Sequence, residues 1–100
     1  WIHVNDNCHA INIVSEKGVP GEIYNIGSGT ELSNNEIVNL IIKILGKERN
    51  MVSYVQDRKG HDLRYSVDFS KIKKLGFDIK KDFRDALVET LNGYSTLYSQ

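Results

Sequence analysis

The nine residues Asp57-Arg58-Lys59-Gly60-His61-Asp62-Leu63-Arg64-Tyr65 hold the densest chemistry of the chain. Guanidinium, ammonium, imidazole and carboxylate groups crowd around one glycine. Arginine presents a planar fork of N–H donors that matches paired phosphate oxygens and never loses its charge. Histidine adds a group that titrates near neutral pH. Glycine lets backbone come close to a ligand. Such a loop does not build a core. It either grips a phosphorylated small molecule or is a solvated hairpin loop stitched by Arg–Asp pairs, worth ~0–1 kcal/mol each when exposed. The residues alone leave both readings open.

A second segment, Ile26 to Glu36, runs from a strand-like stretch through Gly27-Ser28-Gly29-Thr30 to a helix start. Free amides at a helix N-terminus attract anions, so a phosphate oxygen could sit near Ser33 or Asn34. The Ser33-x-x-Glu36 spacing is also that of a capping box, and simple capping is the favoured reading. The glycines are not a dinucleotide fingerprint, because Leu32 stands where the third glycine would fall.

Other chemistries find little support. His3, Cys8 and His9 fit no common metal spacing and lack a fourth ligand nearby, so no metal is expected. Cys8 is expected to pack as a small hydrophobe, and His9 to face solvent or a neighbouring strand. There is no Gly-x-Ser-x-Gly elbow, and no Tyr is followed by Lys four residues later. No catalytic residue is assigned. Asp82 and Asp85 look like solvated charge on a helix.

The composition sets bounds. The chain has 100 residues, with 13 basic and 13 acidic side chains and zero formal net charge. That argues against nucleic-acid binding by a general positive field and leaves room for a local basic site. Apolar runs are too short to span a membrane. The lone Cys8 has no internal disulfide partner, which suits a reducing, cytoplasmic setting. The start at Trp1, without Met, suggests a piece of an enzyme that binds substrate apart from the piece that does the chemistry.

Several elements must position these residues. Asn5 or Asp6 is expected to cap a first helix, with Ala10, Ile11, Ile13 and Val14 on its apolar side and Gly18 at its end. Val19-Pro20-Gly21 is a turn. Strands are expected at 22–26, 51–55 and 63–67. After Ser33, the stripe Ile37, Val38, Ile41, Ile44 and Leu45 marks the clearest helix, stopped by Gly46. Asp68 is expected to cap a short helix from Ser70 to Leu75, closed by Gly76. Phe83, Leu87, Leu91, Tyr94, Leu97 and Tyr98 recur at helical spacing. Strands alternating with helices imply an α/β or α+β class.

Taken together, these segments resemble a known family. Residues Trp1 to Ala10 resemble the "W-x-x-V-x-D-x-x-x-A" stretch of extended short-chain dehydrogenase/reductases, the NAD-dependent epimerase/dehydratase family. Glu22 to Gly27 resembles their "E-x-Y-N-I-G" strand. Asp57 to Tyr65 resembles a "D-R-P-G-H-D-x-R-Y" loop most typical of the family's dehydratases. Val67-Asp68, Lys71-Ile72, Leu75-Gly76-Phe77 and the Phe83, Leu87, Thr90 pattern continue the likeness. Two departures stand out: Lys59 replaces the usual Pro, and Gly93-Tyr94 replaces a "W-Y" pair.

The resemblance implies that residues 1–100 form a single C-terminal part that binds a nucleotide-diphosphate sugar, with a few short strands packed with about four helices. It implies that NAD and the catalytic Tyr-x-x-x-Lys and Asp–Glu pairs belong to an N-terminal Rossmann domain outside this chain, so that the fragment alone is inactive. The parent would be a cytoplasmic, homodimeric lyase. The substrate-binding positions carried over are Asn34, Asp57, Arg58, Lys59, Gly60 and His61. Rival readings are an epimerase or decarboxylase of the same family and, in another class, a binding module without turnover.

Overall fold

The computed structural model describes residues 1–98, with side chains through residue 97. They form two compact units, one of residues 1–31 with those from Ser66 onward, the other of residues 32–65.

In the first unit, α1 (Val4–Lys17) presents Asp6, Ala10 and Ile13 to the interior. Their spacing of four and three residues puts them on one helical face. Helix α3 (Ser70–Lys73) adds Ile72. Ala10, Ile13, Ile72 and Phe77 form the core, flanked by Ile2, Val14, Tyr24, Ile26, Phe69, Leu75 and Ile79. Asp6 is 4% exposed, and its carboxylate accepts the Lys80 amide at 3.3 Å, tying α1 to the segment before α4 (Phe83–Tyr98).

The details correct several expectations. The cap of α1 is His3, whose Nδ1 accepts the Asn5 amide, while Asp6 turns inward. Ile11 stays 54% exposed, because the interior-facing arc takes positions 6, 10 and 13. Cys8 is exposed. His9 is half-buried, with its ring 6.2 Å from that of Phe77. Gly18 ends α1 in extended backbone rather than the left-handed form. Glycine fits there because a Cβ would sit 2.4 Å from the Val14 carbonyl oxygen. On α4, Phe83, Leu87 and Leu91 are half-buried and Ala86 buried, but Tyr94 and Leu97 remain exposed. The Tyr98 side chain lies outside those described.

The second unit opens with α2 (Asn34–Ile44). Ser33 and Glu36 close the expected capping box. The helix ends as its sequence requires: Lys47 donates to the Ile42 carbonyl and Gly46, at φ 61°, to that of Lys43. This is the paired-bond Schellman stop. Ile37 is buried, and most of the remaining apolar stripe is half-buried. A 3₁₀ turn (Arg49–Met51) takes the start of the expected 51–55 strand.

The expected strands do not form. Four α-helices and this 3₁₀ turn are the regular elements among the described residues. Alternation specifies which face of a segment would be buried, but a strand exists only through hydrogen bonds to a neighbour. Ile23, Val55, Leu63 and Tyr65 are each more than 70% exposed, so nothing in the described structure covers them. No described helix is long and apolar enough to cross a membrane.

Candidate functional site

The 57–65 loop is shaped by its own backbone. The Asp57 carboxylate accepts the Arg58 amide at 2.8 Å. The His61 amide then donates to the Arg58 carbonyl at 3.3 Å, closing a four-residue turn. Gly60 takes its third position with φ 71°. A positive φ there is the mark of a type II turn, and glycine is the residue that adopts it without strain.

The turn brings Arg58 and His61 together. Arg58 Nη2 lies 3.2 Å from His61 Nδ1. A guanidinium only donates, so Nδ1 is the acceptor, and the neutral ring carries its proton on Nε2. That N–H is left to donate elsewhere. On the same loop the Tyr65 hydroxyl donates to Asp62 Oδ2 at 2.6 Å. This bond holds the phenolic proton and raises the Tyr65 pKa above the ordinary tyrosine value.

Arg58, Lys59, Gly60, His61, Asp62 and Tyr65 line one open hollow of about 280 Å³. Its donors are the guanidinium, the ammonium and the imidazole; its acceptor is the Asp62 carboxylate. Such a set suits a ligand that carries both phosphoryl groups and hydroxyls. Four of the six expected site residues thus meet: Arg58, Lys59, Gly60 and His61. Asp57 does not line the hollow; it precedes the turn and accepts the Arg58 amide. Asn34 is exposed in the first turn of α2 and does not line the hollow. Asp62 and Tyr65 complete the wall although sequence reasoning did not select them. The signal was their three-residue spacing within the same dense stretch.

At the α2 start, capping prevails. The Ser33 amide and hydroxyl both donate to Glu36 Oε2 at 2.7 Å, and the Glu36 amide returns a bond to Ser33 Oγ. These bonds hold the Glu36 carboxyl below its ordinary pKa, the Ser33 backbone bond contributing most. Gly27 and Gly29 serve packing: a Cβ on Gly27 would lie 2.9 Å from Val67 Cγ2, and one on Gly29 3.4 Å from the Phe69 ring. With Leu32 in the third position, this segment does not fit a dinucleotide. Among the described residues no three metal-ligating side chains gather.

No protein-family model matches the chain. In sequence and in fold the chain is nevertheless similar to one part of several dTDP-glucose 4,6-dehydratases. A dTDP-glucose 4,6-dehydratase of Streptomyces niveus is 50% identical over 95 residues, covering 94% of this chain and 28% of the relative. The dTDP-glucose 4,6-dehydratase of Bacillus anthracis, solved in complex with NAD, superposes with a TM-score of 0.91 at 40% identity, over 99% of this chain and 31% of that one. The Streptomyces venezuelae enzyme of the same name, solved with NAD and TYD bound, gives a TM-score of 0.91 at 43% identity, over 96% and 30%. The chain is therefore related over nearly its whole length to dTDP-glucose 4,6-dehydratases and spans about three tenths of the length of these relatives.

Proposed function

We propose that this chain is the C-terminal, sugar-nucleotide-binding portion of a dTDP-glucose 4,6-dehydratase, an NAD-dependent lyase that converts dTDP-glucose to its 4-keto-6-deoxy product. The observation that carries the reading is the Arg58–His61 contact in the wall of an open hollow. The two side chains are neither splayed apart nor locked into carboxylates.

In this reading the Arg58 guanidinium supplies positive charge to the diphosphate and the Nε2–H of His61 donates a hydrogen bond to it. Asp57 and Gly60 set the turn that presents them. Asn34, outside the hollow, hydrogen-bonds another part of the ligand. NAD and the reacting groups lie in a Rossmann portion outside residues 1–100, and the parent is a cytoplasmic homodimer. The chain on its own has no turnover. Its contribution to rate is positional: fixing the diphosphate fixes the sugar ring, and orientation of this kind removes up to ~7–11 kcal/mol of a barrier in ideal cases.

Arg58→Ala in the full-length enzyme tests the assignment. It should raise the KM for dTDP-glucose about 10-fold or more, from the ~1.5–3 kcal/mol of a charged hydrogen bond, and leave NAD affinity unchanged. Equal loss of both ligands overturns the role. Release of a galactose isomer in place of a 4-keto-6-deoxy sugar would instead identify an epimerase.

A further inference from the structure

The chain builds the same type of turn twice, and the difference between the two copies points to a function for Lys59. At 19–22 the Glu22 amide donates to the Val19 carbonyl at 3.1 Å, with Pro20 second and Gly21, at φ 84°, third. At 58–61 the bond is 3.3 Å and the glycine φ 71°, but the second residue is lysine. Proline is the residue that second position favours, because its fixed φ is already that of the turn. Pro20 shows that this chain uses it where only a bend is needed. At the hollow, that stiffness is given up for a long cationic side chain.

Lys59 lines the hollow beside Arg58 and His61. Among the described residues Lys71 pairs with Glu22 and Lys81 with Glu89. Lys59 makes no such pair among the described residues, so its ammonium is available to a ligand. Arg58 and His61 touch each other, 3.2 Å apart, and so form one donor cluster in the wall. A second phosphoryl group needs another cation, and Lys59 is the one in the wall.

We infer that Lys59 is a specificity-determining residue that binds the second phosphoryl group, so that the hollow distinguishes a nucleoside diphosphate from a monophosphate. The inference rests on the diphosphate reading of the same site. Lysine suits the task as a compact point charge on a flexible stem. Its contribution is electrostatic and therefore screened by salt.

Calorimetric titration of the 100-residue chain with dTDP and with dTMP tests this, with folding checked by circular dichroism. Lys59→Met should weaken dTDP about 5- to 10-fold, the scale of one charged contact at an exposed site, and leave dTMP within 2-fold. Lys59→Arg should restore dTDP binding. Lys59→Pro, which keeps the turn and removes the charge, should behave as Lys59→Met. Arg58→Ala should weaken both ligands, which separates this inference from the reading beneath it. Equal loss of both ligands in Lys59→Met, no loss of either, or wild-type affinity in Lys59→Pro would overturn the role of Lys59. Absence of dTDP binding to the wild-type chain would overturn both assignments.

Discussion

The two units spend their side chains differently. The first buries Ala10, Ile13, Ile72, Phe77 and Ala86, and even an acid, Asp6. The second has Ile37 as its buried side chain among the described residues and sets its most polar loop in the open. Where apolar groups leave water the fold gains stability, at ~25 cal/mol per Å² removed. Where charged groups stay wet they add little stability but remain able to bind. The contrast teaches that fold and ligand recognition sit on separate residues here, and substitutions should separate them.

The largest expected effect is on the core. Phe77 is 2% exposed, and Phe77→Ala should cost ~3–5 kcal/mol of unfolding free energy. Ile11→Ala, on the exposed side of α1, should cost under about 0.5 kcal/mol. Urea unfolding of both variants checks this, and similar losses would break the contrast. Arg58→Ala is the mirror case: its unfolding midpoint should match wild type while its dTDP affinity falls about 10-fold or more. A drop in stability would mean that the hollow is structural.

Smaller effects sharpen the picture of α2. Ser33→Ala removes the acceptor for the Glu36 amide and should cost about 1 kcal/mol, seen as lost helicity in circular dichroism. The same cap sets a pH dependence. Glu36 has a lowered folded pKa, so its contribution is present above the ordinary glutamate range and is lost as pH falls through the depressed value. Glu36→Gln, which can still accept the Ser33 amide, should flatten that acid limb. The smallest effect belongs to the exposed Glu22–Lys71 pair. Lys71 lowers the Glu22 pKa, so any stabilisation fades toward acid. Glu22→Gln should shift the midpoint only slightly, and less in high salt.

Legibility in the sequence follows the same division. Helix α2 was readable to its ends, because its cap, its stripe and its stop are all local: Ser33 with Glu36, Ile37 to Ile44, and Gly46. The cap of α1 is not legible in this way. Asn5, Asp6 and His3 all carry capable acceptors, and Asp6 is drawn inward by the Lys80 amide, 74 residues away in sequence. Such a distant partner leaves no local signal. The strands expected at 22–26 and 63–67 do not form for a related reason: alternation is local, pairing is not. The basic loop was legible as a cluster, and its turn followed from Gly60. That Asn34 would stand outside the hollow, and Asp62 with Tyr65 inside it, depended on the turn's three-dimensional course.

The central claim is that Arg58 and His61 hold a diphosphate at the 58–65 hollow. Titrating the isotope-labelled chain with dTDP while following its amide and imidazole NMR signals tests it most directly. The account predicts saturable shifts confined to Arg58–Asp62, Tyr65 and the His61 ring, abolished by Arg58→Ala, with α1 and α4 unmoved. Shifts centred on the first unit, or none at the loop at saturating dTDP, would contradict it.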